Sequence, residues 1–305
     1  MEHVKQYYLG GNTAHGFYSL YDGFCPPEAG DFLWVIKGGP GCGKSSFMRR
    51  IGAAMEQEGL DVEYVLCSGD PDSLDGVYFP ALRTGYVDGT APHVQEAVYP
   101  GASGLYLDLG QFYDRAALQK KRDEILALNT QYKALYQQAY GLLADCPPPD
   151  AGGSDEPDAP LPPCSGKAGR IQRRFLRAVS CKGLVSVPDV NCRRVRELHS
   201  PAALARLAEN ARQAGYDVVC AQHPVFPLLC ESVQIPALDT LYFVNFSVPD
   251  TSCAPILRAA CAKLAEAKAL HDHLEAVYNP HVDFDGVYAL AENHTQTLKK
   301  QISAL

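Results

Sequence analysis

Phe32-Leu33-Trp34-Val35-Ile36 followed by Gly38-Gly39-Pro40-Gly41-Cys42-Gly43-Lys44-Ser45 is the stretch on which the reading of this chain turns. An apolar run of five residues has the length and composition of a buried strand, and the glycines after it fit the pattern Gly, four residues, Gly-Lys-Ser/Thr, the Walker A phosphate loop. Wrapping a triphosphate with backbone N–H groups needs chain conformations without a Cβ in the way, which glycine supplies. In such a loop Lys44 reaches the β and γ phosphates and Ser45 offers its hydroxyl to Mg²⁺. The N-terminus of the next helix, expected from Ser46 to Glu58, adds partial positive charge. The nucleotide-binding set is therefore Gly38, Gly39, Pro40, Gly41, Cys42, Gly43, Lys44, Ser45 and Ser46. Cys42 is either a thiol activated by that helix end or a small residue filling an unconstrained position.

Around this core the sequence predicts a second strand over 61–67, an acidic loop from Ser68 to Gly76, and a third strand, Thr84-Gly85-Tyr86-Val87, closed by Asp88. Strands alternating with helices predict a parallel α/β sheet whose ligand crevice lies at the strand C-terminal ends. Asp88 is there the expected Mg²⁺ carboxylate beside Ser45, while Asp88-Gly89 is also a common turn pair. Asp70, Asp72 and Asp75 lie near the same crevice, where Asp70 and Asp72 are candidates to orient a water or hydroxyl; each is also a turn former. A transition-state arginine would come from Arg49, Arg50, Arg83, Arg194 or Arg196. His93 reads as a γ-phosphate sensor or a surface-loop histidine.

At the start, Gly10-Gly11-Asn12-Thr13 is expected to be a turn between two extended pieces. Residues 115–145 predict one long helix with an apolar seam of Ile125, Leu128, Tyr132, Leu135, Ala139 and Leu142. Residues 254–278 predict another, with Leu257, Ala260, Leu264, Ala267, His271, Leu274 and Tyr278 on one face; each seam is the natural cover of the other. His271 and Glu275, four apart on that helix, are a two-ligand metal candidate, weighed against a core histidine. The basic run Lys167, Arg170, Arg173, Arg174, Arg177 offers a phosphate contact or a solvated strand edge.

The chain also repeats itself. A shift of 156 makes ten of the 28 positions from 59 to 86 identical to their partners from Gly215 to Tyr242, where chance gives about two. A shift of 167 pairs Leu9, Gly16, Ser19 and Asp22 with Leu176, Gly183, Ser186 and Asp189. Internal duplication follows as an expectation. With the 156 shift, Gly38 falls on Arg194, Gly43 on His199 and Lys44 on Ser200, so the second copy has no phosphate loop. The expected organisation is a nucleotide-binding half, 1–145, a Pro/Gly/Asp-rich linker, 146–169, and a degenerate half with C-terminal helices, 170–305.

Composition bounds the rest. A 305-residue chain with 47% hydrophobic and 20% charged residues is ordinary globular protein, and a net charge of −8 argues against broad nucleic-acid binding. With no signal-like apolar segment at Met1 and no run near the ~18 apolar residues of a membrane span, the expectation is a cytoplasmic protein without membrane contact. Eleven scattered cysteines with no Cys-x-x-Cys favour reduced thiols over a disulfide framework or a zinc cluster.

Taken together, Gly10-Gly11-Asn12-Thr13, the 37–45 loop, Asp70-Pro71-Asp72-Ser73-Leu74-Asp75-Gly76 and Val87-Asp88-Gly89-Thr90-Ala91-Pro92-His93 resemble an uncharacterised family of bacterial P-loop ATPase-like proteins, mostly from Firmicutes. The resemblance spans nearly the whole chain. It implies a P-loop fold and ATP as ligand. In that family both halves often carry a phosphate loop, and this sequence departs by keeping only the first. The expected activity is Mg²⁺-dependent ATP hydrolysis at one site; a small-molecule or nucleotide kinase and a non-hydrolysing ATP-dependent switch that engages a protein partner are the alternatives. No guanine-reading Asn-Lys-x-Asp motif is present.

Overall fold

The computed structural model describes residues 4–149, 161–162, 164, 166–188, 192–246 and 253–303. Of the linker expected at 146–169, residues 150–160, 163 and 165 lie outside the described residues, as does Asp189.

The first half runs β1 (Val4–Tyr7), β2 (Gly10–Thr13), β3 (Gly16–Ser19), β4 (Phe32–Lys37), α1 (Lys44–Gln57), β5 (Val62–Leu66), β6 (Leu74–Phe79), β7 (Thr84–Asp88), β8 (Gly104–Asp108), α2 (Arg115–Lys120) and α3 (Arg122–Ala144). The second runs β9 (Ile171–Arg174), β10 (Arg177–Ser180), β11 (Gly183–Ser186), β12 (Arg194–Leu198), α4 (Pro201–Gln213), β13 (Val218–Gln222), β14 (Cys230–Ile235) and β15 (Thr240–Val244). Two helices close the chain, α5 (Cys253–Tyr278) and α6 (Phe284–Ile302).

The architecture is α/β with two mixed sheets. The first has the order β1-β5-β6-β7-β4-β8, and the second β9-β13-β14-β15-β12 when read from the matching edge. Neither is wholly parallel, contrary to the expectation from sequence. In the first, β6 is antiparallel to both β5 and β7, while β1–β5, β4–β7 and β4–β8 are parallel. The reason is connection length: residues 67–73 close a tight turn through Cys67 N→Ser73 O and Ser73 N→Asp70 O, too short for the crossover a parallel pair requires. Asp75 therefore sits inside a strand rather than on the acidic loop. Gly10–Thr13 is likewise a strand, paired antiparallel with Gly16–Ser19, and the turn lies at Ala14 and His15.

β4 lies between β7 and the edge strand β8, with Val35 and Ile36 fully buried. α1 lays Phe47, Met48, Ile51 and Met55 on the sheet, and α6 packs beside it with Val287, Ala291 and Leu298 in the same cluster. The helix expected over 115–145 is broken at Lys121, whose ψ of 5° leaves helical geometry. α2 stays with the short turn Asn279–His281 and α3 follows α5. The seams expected on α3 and α5 do cover each other: Ala139, Leu143, Leu257, Ala260 and Leu264 form one buried cluster with Val179 and Val225.

The edges of the two sheets meet at one reciprocal backbone pair, Tyr8 N→Phe175 O (2.9 Å) and Phe175 N→Tyr8 O (2.8 Å). Asn12 Nδ2 adds a bond to Val179 O at 2.8 Å. The basic run has structural partners: Arg174 is buried against the Tyr7 ring at 4.1 Å, and Arg177 pairs with Glu231 at 2.5 Å. At the linker's described end, Pro162 O accepts from Tyr216 Oη and Cys164 N donates to Ala214 O.

Leu264, 1% exposed, tests the helix pair. Leu264→Ala should destabilise the protein by about 2–5 kcal/mol in urea unfolding; a loss under ~1 kcal/mol would mean that this contact does not hold the halves together.

Candidate functional site

Gly38 to Gly43 join the C-terminal end of β4 to the N-terminus of α1, and three of their glycines have positive φ, Gly38 at 154°, Gly41 at 66° and Gly43 at 88°. An L side chain at Gly41 or Gly43 would strain the loop. Gly43 caps α1 without a side chain, so the first-turn N–H groups are left for an anion. Cys42 is fully buried beneath the loop, where a Cβ on Gly38 would fall 2.6 Å from its sulfur. Burial pushes the thiol pKa up, against a smaller lowering by Lys44. The activated-thiol reading of Cys42 is thereby set aside, and the position is tightly constrained rather than free.

Lys44 Nζ donates to Gly38 O at 2.8 Å and Gly39 O at 2.9 Å, and lies 3.5 Å from Asp88 Oδ2. Ser45 Oγ accepts from Leu74 N at 3.0 Å, which ties the loop to the start of β6. Asp88 is the last residue of β7, the parallel neighbour of β4, so Lys44 and Asp88 meet at the strand ends, with Ser45 next to Lys44 in the first turn of α1. The turn reading of Asp88 is also realised: its Oδ1 accepts from Thr90 N (2.8 Å) and Thr90 Oγ1 (2.6 Å). That leaves Oδ2 facing the lysine.

Behind Asp88 lies a buried group that includes His93, so the surface-loop reading of that histidine does not hold. His93 is 5% exposed, Asp75 5% and Asp88 9%, and their ligating atoms lie within 4.8 Å of one another. His93 Nδ1–H donates to Asp88 O at 2.9 Å, and its Nε2 is 3.4 Å from Asp75 Oδ2. Tyr21 Oη donates to the same Asp75 oxygen at 3.1 Å. Burial works against the charge on His93, but Asp75 and Asp88 outweigh it and hold the ring's pKa at about 9. Burial would raise Asp75, yet His93, Tyr21 and Cys67 bring it below the usual carboxylate range. Both shifts describe one buried ion pair, whose histidine grips the main chain of Asp88.

Asp70 and Asp72 do not join this group. Asp70 lies 3.4 Å from Lys268 of α5, and Asp72 is exposed and pairs with Lys182. The candidate arginines are also engaged: Arg49 with the Asp72 carbonyl, Arg50 over the Tyr288 ring at 3.9 Å, and Arg83 with Asp31 at 3.4 Å. Arg194 and Arg196 lie on β12, an edge of the other sheet.

The outer face of the loop is covered by the end of α5, which no local pattern announced. A Cβ on Gly41 would fall 2.5 Å from the end of the Asn279 amide and 3.2 Å from the Glu275 backbone. With its nitrogen facing the loop, Asn279 donates to Gly41 O at 2.9 Å and Glu275 O at 3.2 Å. Tyr113 and Tyr278 abut Gly39, while Phe284 and Val287 abut Gly43. On α5, His271 packs on Tyr132 with ring centroids 5.6 Å apart and lies 3.8 Å from Glu275. Asp272 completes a second three-ligand group with them, though it also pairs with Lys268.

The second sheet has no such loop. Six residues, 38–43, separate β4 from α1, but only His199 and Ser200 separate β12 from α4. Strand register corrects the ungapped alignment here: Phe32 pairs with Thr84 and Arg194 with Thr240, so Arg194 sits at the Phe32 position rather than at Gly38.

No family model, no curated protein and no solved structure matches the chain.

Because its folded pKa is raised, His93 contributes stability that is complete below its unfolded value of about 6.5 and is lost as pH rises through about 9. The stability difference between wild type and His93→Gln should therefore shrink by about 3 kcal/mol between about pH 6 and pH 9.5. A pH-independent difference in urea unfolding would show that the buried ring is neutral.

Proposed function

We propose that the first half binds ATP with Mg²⁺ and hydrolyses the γ phosphate at a single site. The observation that carries this reading is the convergence of Lys44 and Asp88, with Ser45 next to Lys44, at the ends of two adjacent parallel strands, directly beneath a glycine loop that opens a helix. Bound Mg²⁺ would neutralise phosphate charge. Ser45 and Asp88 have the oxygen donors for such an ion, and Asp88 is already held by Thr90 at Oδ1 and by His93 at its main-chain carbonyl, with Oδ2 toward Lys44. Lys44 supplies the cation that offsets the β and γ phosphates, in place of the two carbonyls it now contacts. The α1 N-terminus contributes free N–H groups.

The same reading includes a P-loop fold that arose by internal duplication, the second copy having lost its phosphate loop. The matching strand orders support it, as do the shared 156-residue offset of β5, β6 and β7 with β13, β14 and β15 and the reciprocal Tyr8–Phe175 bond at the 167-residue offset. The resemblance to bacterial P-loop ATPase-like proteins, made from sequence motifs, agrees with it. A nucleotide switch is the second reading. It is favoured by Asn279, which rests on Gly41 from a helix that continues into the other half. No helix among the described residues is long and apolar enough to cross a membrane.

Calorimetry with Mg²⁺·ATP, run beside phosphate release, tests the proposal. Wild type should bind near one nucleotide per chain, and Lys44→Ala should bind at least about tenfold more weakly, the worth of one charged contact. Asp88→Asn should lose most of the Mg²⁺ dependence. Equal binding by wild type and Lys44→Ala, or none by either, would overturn the assignment; binding without phosphate release would select the switch.

A further inference from the structure

All eleven cysteines are free thiols, and side-chain hydrogen bonds join two pairs of them, Cys220 with Cys230 inside the second sheet and Cys146 with Cys253. Cys253 Sγ lies 3.0 Å from Cys146 Sγ and donates to it. That is closer than the ~3.5–4.0 Å of ordinary non-bonded heavy-atom contact. Cys146 follows the C-terminus of α3 and Cys253 is the first residue of α5, so the pair sits where these two helices leave each other. Both thiols are buried, 5% and 2% exposed, in the apolar cluster with Leu143, Val179, Val225 and Leu257. Here the sulfurs are held together by helix packing, and closing the bond needs about 1 Å of further approach.

We propose that Cys146 and Cys253 are a built-in oxidation site, which forms an intramolecular disulfide on exposure to a peroxide. One thiolate attacks a peroxide oxygen and becomes a sulfenic acid as hydroxide leaves; the second sulfur then displaces hydroxide from the first. In sum, two thiols and one hydrogen peroxide give one disulfide and two waters. Access comes through the first turn of α5, because helix ends open locally more readily than centres. The bond would join two points 107 residues apart in sequence and enclose the whole second sheet in one covalent loop. Loop closure of that length restricts the unfolded chain and stabilises the native pairing of α3 with α5. The other end of α5 rests on the glycine loop after β4, so the oxidised protein would carry its two halves with the helix pair locked.

The test uses the full-length wild-type protein, treated with hydrogen peroxide and then blocked with N-ethylmaleimide under denaturing conditions. Blockable thiols should fall from eleven to nine, with a mass loss of about 2 Da before blocking. No Lys or Arg lies between Cys146 and Cys164, so trypsin needs a second, aspartate-directed protease to separate them. The resulting map should show Cys146 linked to Cys253. The unfolding midpoint of the oxidised protein should rise, by roughly 5–10 °C, and Cys253→Ala and Cys146→Ala should each abolish both effects while Cys164→Ala changes neither. The proposal fails if both sulfurs stay blockable while other thiols are consumed, if Cys146 links instead to Cys164 or Cys181, or if the midpoint falls on oxidation.

Discussion

Two helices of 23 and 26 residues, α3 and α5, each carry an apolar stripe too wide to leave in water, and each covers the other. Most helical stability in a folded chain comes from such packing rather than from propensity. With the Tyr8–Phe175 pair and the Asn12–Val179 bond, that contact joins what would otherwise be two separate α/β units. It brings residues about 130 positions apart into one core, and it carries the C-terminal end of α5 to the glycine loop after β4. Glu275, Tyr278 and Asn279 then stand against Gly39 and Gly41.

The second constraint is electrostatic. A buried ion pair is seldom a net source of stability, because removing two charges from water costs about as much as their attraction returns. His93 and Asp75 are instead well suited to specify position: with Tyr21 on one side and the Asp88 carbonyl on the other, the ring has one geometry available. Thr90 fixes one oxygen of Asp88 and leaves the other toward Lys44. The carboxylate is thus oriented before any ligand arrives, which is the condition for strong binding of a hard cation or a phosphate.

The two halves are alike in backbone and unlike in chemistry. Among the described residues β8 has no counterpart in the second sheet, and the segment between β12 and α4 is too short to wrap a phosphate. The second difference falls at the C-terminal end of a strand, where ligand sites of such sheets are built. The strands and helix that make the core occur in both sheets. Loops tolerate deletion because they carry few buried contacts, whereas β13, β14 and β15 cannot be shortened without opening the core.

Local sequence determined a good deal. The run from Phe32 to Ile36 and the glycine loop after it specify a strand, a turn and a helix start, since strand burial and left-handed φ are properties of individual residues. The seams on α3 and α5 were legible from spacing alone, and the 156-residue repeat placed counterparts of the strands expected at 61–67 and 84–87, which are β13 and β15. Tertiary structure alone decided the direction of β6, the break at Lys121, the burial of His93 and Asp75, and the arrival of Lys268 and Asn279 beside loops some 200 residues earlier. A histidine after Gly-Thr-Ala-Pro has the same local pattern whether it faces water or a carboxylate. Only the paths of β6 and β7, antiparallel because their connections are short, bring Asp75 to it. Hydrophobic period and backbone freedom act over a few residues and can be read along the chain; charge pairing and burial act through space and exist only once the chain has folded.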